Sequence, residues 1–438
     1  MSLIAFTNAV VKAASFAQVH EWQAIKSTRR NRSHNTLHNK EEHSLMENQH
    51  TELTLRYGCN PHQKPARVYA KQGQLPFQVL NGAPGYINLL DALNSWQLVR
   101  ELRQSLNLPA AASFKHVSPA GAALGLLLSD TLKQAYAVED LELSPLASAY
   151  ARARGADRQA SYGDWAALSD IVDVPTARLI SREVSDGVIA PGYEPEALEI
   201  LRKKRKGSYI VLQIDPNYEP EEMETREVFG VTFEQKRNNI TPSAEHLKDI
   251  PTRNKHLPES AQRDLILSLI TLKYTQSNSI CFAYDGQAIG IGAGGQSRIM
   301  CTRVAAAKAA DWYLRLHPAA LSLPFKASVK RQERVNAVDA YLREDLTPIE
   351  EKEWEQLFET VPPRLTSQEK EEWLSGLKGV SLGSDGFFPF RDNIDFAARY
   401  GVSYIVQPGA SLRDEDVVTA CDAYDIVMAM AGIRLFHH

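Results

Sequence analysis

Apolar positions along this chain follow two periods, helical and strand-like, and the switches between them outline the elements. Over 88–106, Leu89, Leu93, Trp96, Val99, Leu102 and Leu106 fall at helical spacing, which predicts a helix with one buried face. The short apolar run 110–114 ends in Lys115-His116 and then Ser118-Pro119-Ala120-Gly121, so it predicts a buried strand that opens into a turn. A small-residue helix is expected over 147–154, and strands over 184–190 and 208–214. The sequence turns polar over 215–227 and 236–256, which predicts loops or a domain seam. A helix over 263–273 leads to a hairpin, 280–284 and 287–291, whose Asp285-Gly286 suits the positive φ angles of a type I′ turn. Gly292-Ala293-Gly294-Gly295 precedes a long helix over 296–316. The acidic stretch 350–377 is expected to be helical and broken at Pro362-Pro363. Helices over 393–400 and 413–424 alternate with strands over 402–406 and 426–429. Alternation of this kind predicts an α/β fold, whose ligands bind beyond the carboxyl ends of strands.

With 438 residues, the chain is too long for one small core, and two to three domains are expected. A net charge of −4 provides no global field toward nucleic acid or membranes. No apolar run approaches the ~18 residues of a membrane span. Cys59, Cys281, Cys301 and Cys421 stand far apart, which argues against structural zinc or a disulfide framework and fits a reducing, cytoplasmic setting. Residues 1–50 are poor in acids and carry Arg29, Arg30 and Arg32. They are taken as a poorly ordered extension, although a targeting segment would have a similar composition.

Several polar segments bear chemistry. Lys115-His116 at a strand end pairs a cation with an imidazole. A neighbouring cation favours the neutral, proton-accepting ring, and an ammonium can stabilise a developing oxyanion. The bland alternative is a surface lysine beside a core histidine. Thr275-Gln276-Ser277-Asn278-Ser279 puts five small polar residues between apolar elements, where, if buried, they would need a ligand or a bound monovalent cation as partner, the alternative being an ordinary polar loop. Residues 290–298, Gly-Ile-Gly-Ala-Gly-Gly-Gln-Ser-Arg, enter a helix. They match neither a Walker loop nor a dinucleotide fingerprint. Phe387-Phe388-Pro389-Phe390 followed by Arg391-Asp392-Asn393 could line a slot for a flat heteroaromatic ring, or could be core plus a helix cap. The terminal His437-His438 lacks a third metal ligand.

Taken together, segments 55–63, 114–121, 273–279, 290–303, 387–393 and 434–438 closely resemble the transformylase portion of the AICAR formyltransferase/IMP cyclohydrolase family, and the similarity runs over 51–438. The resemblance implies transfer of the formyl group of 10-formyltetrahydrofolate to the 5-amino group of AICAR, giving formyl-AICAR and tetrahydrofolate for purine biosynthesis. It implies His116 as general base, Lys115 as support for the oxyanion and leaving amine, and Asn278 as an orienting group. Arg56, Tyr57, Asn88, Gly163, Asp186, Asn336, Arg434 and Phe436 would hold AICAR. Arg298, Phe387, Phe390, Asp392 and Asn393 would hold folate. Thr275, Ser277, Ser279 and Asp385 match a structural potassium loop in some relatives. The implied fold is two interleaved cytidine-deaminase-like domains without zinc, 51–221 plus 316–377 and 222–315 plus 378–438. The implied assembly is a homodimer with shared sites. The cyclohydrolase half has no counterpart, so a separate IMP cyclohydrolase is expected. Gln159, Tyr162, Gly295 and Gly386 depart from the family pattern, as does 430–433.

Overall fold

A computed structural model describes residues 51–71 and 73–438. The extension expected at 1–50 lies outside the described residues. The strands run in chain order β1 (Glu52–Leu55), β2 (Ala66–Tyr69), β3 (Phe77–Asn81), β4 (Ala110–Lys115), β5 (Ser118–Leu124), β6 (Asp164–Leu168), β7 (Ser185–Ala190) and β8 (Ile210–Ile214). They continue with β9 (Met223–Val228), β10 (Val231–Lys236), β11 (Ile280–Tyr284), β12 (Gln287–Gly292), β13 (Val380–Ser384), β14 (Val402–Gln407) and β15 (Val427–Met430). Eleven of them form one sheet in the order β15-β14-β13-β11-β12-β5-β4-β6-β7-β8-β3.

That order contains the same unit twice. In each half an antiparallel hairpin, β4-β5 or β11-β12, presents its first strand to an antiparallel neighbour, β6 or β13. Two further strands then follow in parallel, β7-β8 or β14-β15. A long helix precedes each hairpin, Tyr86–Leu106 in the first half and Glu259–Lys273 in the second. A second helix follows each hairpin, Pro145–Ala156 and Arg298–Leu314. The halves join where β5 meets β12 antiparallel, at the single registered pair Ala123↔Gln287.

Alternation along the strands sends side chains to two cores. Ala111, Ala166 and Leu168 enter one core, while Ala110, Ala112, Phe114, Trp165 and Ala167 enter the other. Helices Tyr86–Leu106 and Glu259–Lys273 cover the second core. On the opposite face the glycines of β12 have a packing purpose. A Cβ on Gly290 would lie 2.1 Å from the Ala305 carbonyl oxygen, and one on Gly292 2.1 Å from that of Cys301. Helix Arg298–Leu314 therefore sits directly on the strand, and these glycines are explained without an anion. A third, smaller core joins Leu323, Tyr341, Trp354 and Phe358 in the helical segment between Leu314 and β13.

Two expectations need correction. The 118–121 segment is not a turn: residues 118–124 form β5, and the reversal occurs one step earlier, at His116 and Val117 with φ 54° and 58°. The polar stretch 215–227 is not all loop, because it runs into β9, which pairs with β10 as a hairpin. Its strands are fully or partly exposed and so lack the alternating burial that would have marked them. The Asp285-Gly286 turn is found with φ 48° and 72°, and the helix break around Pro362-Pro363 is also present. No helix among the described residues is long and apolar enough to cross a membrane.

Candidate functional site

The candidate residues gather in two groups, both at the sheet edge toward which β4 ends and β11 begins. The antiparallel β5-β12 register puts the start of β5 and the end of β12 on that same side.

The first group is built on the β4-β5 tip. Lys115 Nζ donates to the Tyr162 carbonyl at 2.5 Å, next to Gly163. Gly163 has φ 74° and donates its N–H to Val184, and a Cβ there would meet nothing within 4 Å, so its left-handed backbone accounts for the glycine. His116 and Val117 both occupy the left-handed region, which a β-branched residue rarely enters. Asp91, buried on helix Tyr86–Leu106, accepts the Val117 N–H at 2.6 Å. Burial pushes the Asp91 carboxyl up to about 6, with the Val117 hydrogen bond and His116 opposing and Asp186 reinforcing. Asn88, one turn earlier on the same helix, accepts the Gly85 N–H at 3.0 Å at the helix start. Asp186, at the start of β7, pairs with Arg205 at 2.9 Å.

Beneath this tip runs a buried polar chain that the sequence did not reveal. Ser113 Oγ donates to Asp164 at 2.7 Å, Asp164 pairs with Arg154 at 2.8 Å, and Arg154 pairs with Glu183 at 3.0 Å. Arg331 reaches Glu183 from the helical segment at 2.5 Å. Burial raises the Asp164 carboxyl, with Arg154 opposing. Burial alone would also raise Glu183, but Arg154, Arg331 and Arg158 together hold it below the usual range. Such a network contributes less net stability than fixed geometry, here at the ends of β4, β6 and β7.

The second group is built around Asp385, which is fully buried after β13. Arg298 Nη1 donates to Asp385 at 2.5 Å and to Ser384 Oγ at 2.9 Å, while Nη2 donates to Asn278 Oδ1 at 2.6 Å. The Asn278 amide also donates to the Gly295 carbonyl at 3.0 Å. Ser277 Oγ donates to the other Asp385 oxygen at 2.6 Å. Thr275 donates to the Thr271 carbonyl at 2.7 Å, and Ser279 Oγ is buried without a partner among the described residues. The end of the chain is strapped onto this loop: Ser277 and His437 exchange hydrogen bonds, and the Leu435 N–H reaches the Asp385 carbonyl at 2.9 Å. Burial lowers the His437 imidazole.

Around this group, Phe387, Phe390 and Phe436 are exposed, with the Arg434 guanidinium 4.6 Å over the Phe436 ring. Phe388 is core. Asp392 is exposed and accepts from Asn393, whereas Asn393 is buried and accepts from Thr302 at 2.8 Å. Of the residues expected to hold folate, Arg298 and Asn393 are thus turned inward, and Phe387, Phe390 and Asp392 face outward. Two of the departures have a steric reason. A Cβ on Gly386 would lie 2.5 Å from Arg298 Nη2, and one on Gly295 2.4 Å from Cys301 Sγ.

The Arg56 guanidinium lies 5.9 Å over the Tyr57 ring, and Asn336 on helix Arg331–Leu342 accepts from Gln332. Among the described residues, no hydrogen bond or ion pair joins Lys115 or His116 to Asn278, and none ties Arg56 or Asn336 to either group. Asp91 and Asp164 were missed. Asp91 begins a buried stripe with Ser95, Leu98 and Leu102 at helical spacing, and an acid in such a stripe was the available signal.

Comparison with known proteins matches residues 7–308 to the family described as AICARFT/IMPCHase bienzyme. The Bifunctional purine biosynthesis protein PurH of Xylella fastidiosa (strain 9a5c) is 29% identical over 394 residues, covering 88% of this chain and 58% of that protein. Its namesake from Xanthomonas campestris pv. campestris (strain 8004) is 29% identical over 393 residues, with the same two coverages. The chain spans 58% of the length of these relatives. With well over half of its residues matched, the chain belongs to the AICARFT/IMPCHase bienzyme family.

Proposed function

We propose that this protein acts in purine biosynthesis as an AICAR formyltransferase, moving the formyl group of 10-formyltetrahydrofolate to the 5-amino group of AICAR. The observation that carries this reading is the Lys115-His116 pair, held at a sheet edge on a turn that the chain adopts against its local preference. The acceptor amine is conjugated to a carboxamide and nucleophilic only as its proton leaves. His116 takes that proton as nitrogen attacks the formyl carbon. Lys115 stabilises the tetrahedral oxyanion, and the bond from carbon to N10 of the folate then breaks as N10 gains a proton. Asn278, clamped by Arg298, orients the formyl group or the amine. Arg56, Tyr57, Asn88, Gly163, Asp186, Asn336, Arg434 and Phe436 bind AICAR. Phe387, Phe390 and Asp392 line the folate slot, with Arg298 and Asn393 as its inner supports.

We read the working unit as a homodimer, with Lys115-His116 of one protomer facing the Asn278 group of its partner. Within one chain, strands β5 and β12 lie between the end of β4 and the start of β11, which supports this. So does the β9-β10 hairpin, which leaves Val228, Phe229, Val231 and Phe233 exposed. The repeated strand order supports two cytidine-deaminase-like domains. The bonds from Arg331 to Glu183, Tyr136 and Ala137 support counting 316–377 with the first of them. The unpartnered Ser279 hydroxyl fits a potassium loop made with Thr275, Ser277 and Asp385, where the ion would be structural. Four free thiols suit the cytoplasm.

The test is tetrahydrofolate formation from 10-formyltetrahydrofolate with and without AICAR, with chromatography of products. AICAR-dependent release of formyl-AICAR is expected. A folded protein that binds AICAR yet turns nothing over would overturn the reading.

A further inference from the structure

The two hairpin tips, equivalent in the repeated unit, are tied down by the same device. Asp91 of helix Tyr86–Leu106 accepts the N–H of Val117, the second turn residue, at 2.6 Å. Asp264 of helix Glu259–Lys273 accepts the N–H of Gly286, also the second turn residue, at 2.7 Å. Both carboxyl groups are buried, at 7% and 3% exposure, so each costs desolvation unless a cation compensates.

The compensation differs. Asp264 has the guanidinium of Arg263 at 3.0 Å, on its own helix. Asp91 forms no ion pair among the described residues. The charged and titratable groups that bear on it are His116 on the tip and Asp186 at the start of β7, itself paired with Arg205. Lys115 sits beside His116 but points its ammonium at the Tyr162 carbonyl. The turn residues differ in the same sense. Asp285-Gly286 suits a type I′ turn, whereas His116-Val117 pays a steric cost that only outside constraint can offset.

We infer that Asp91 is a positioning residue for His116: its carboxylate fixes the turn that presents the imidazole and supplies the counter-charge when that ring becomes imidazolium. This rests on the formyltransferase reading, in which His116 takes the amine proton. That transfer creates a cation on the turn residue next to the N–H that Asp91 holds, so the charge at Asp91 contributes specifically after the proton has moved. In the second repeat the equivalent carboxylate is paired with Arg263, although burial still raises it, and the turn it holds, Asp285-Gly286, carries no imidazole.

The experiment compares D91N with D264N, each of which keeps an acceptor oxygen and removes a charge. Wild-type turnover is measured first and tests the reading itself. Given turnover, D91N should lower kcat about tenfold or more, leave the KM for AICAR within twofold, and alter the acid limb of the pH profile. D264N should leave all three within twofold. Equal effects of the two variants would overturn the inference. The double variant D91N/V117G separates charge from turn strain: glycine relieves the backbone, so restoration of wild-type kcat would reduce Asp91 to a purely structural tie. The nitrogen chemical shifts of the His116 ring, followed against pH in D91N and wild type, give a readout that needs no turnover. An unchanged titration would overturn the inference even in an inactive protein.

Discussion

The two groups at the sheet edge solve opposite problems. Around Asp385 every charge is matched within the interior: Arg298 spans Asp385, Ser384 and Asn278, and the chain end closes over the loop. Around His116 the Lys115 and His116 side chains lie toward solvent, the buried carboxylate has no ion-pair partner among the described residues, and the backbone is held in an unfavourable region. The first arrangement fixes one amide in one orientation. The second leaves a proton and a charge free to move. On the formyltransferase reading both are needed, and this chain builds them on different repeats of one unit.

Four substitutions bear on that contrast. His116→Ala should produce the largest effect, lowering turnover by roughly 10²–10⁴ while AICAR binding survives. Turnover and calorimetry together decide it, and retained turnover would remove the base from this tip. Arg298→Ala should destabilise by about 3–5 kcal/mol, because it strands Asp385 as an unpaired buried charge. Denaturant unfolding reads this, and a loss below about 1 kcal/mol would show that the group is less enclosed than its geometry implies.

Asp91→Asn acts through pH. The folded carboxyl titrates near 6 against 3.8 unfolded, so the native state binds the extra proton between those values. Its contribution to stability is therefore fully present below about 4 and is lost as pH rises through about 6. The variant should gain on the order of 2–3 kcal/mol over wild type at pH 8 and nothing at pH 4. Melting at the two pH values checks the sign. Gly386→Ala should have the smallest effect, about 1 kcal/mol, as a Cβ would press on Arg298 Nη2 at 2.5 Å. A stabilised variant would show that Arg298 can shift without loss.

Much of this was legible in the sequence because it is local. The long helices, the Asp285-Gly286 turn and the Pro362-Pro363 break each have a period or a residue that demands them. The β4-β5 turn was misplaced because Val117 obeys Asp91, which lies 26 residues away and is joined to it only by the fold. The β9-β10 hairpin was missed because a strand pair exposed on both faces carries no alternating pattern. The six segments named the family, yet the inward turn of Arg298 and Asn393 depends on Asp385 and Thr302, partners that spacing does not reveal.

The seam at Ala123 and Gln287 has a consequence for how the molecule opens. One rung of ladder joins the halves, and beside it Leu124 N–H reaches the Gly286 carbonyl, while buried Arg152 grips the Asp285 carbonyl and carboxylate together with the Leu126 and Leu127 carbonyls. The join is thus a rivet at one end of the strands and not a weld along them. Amide hydrogen exchange should trace it as protected half-sheets separated by a line of faster protons along β5 and β12, with the slow positions of the seam confined to its riveted end.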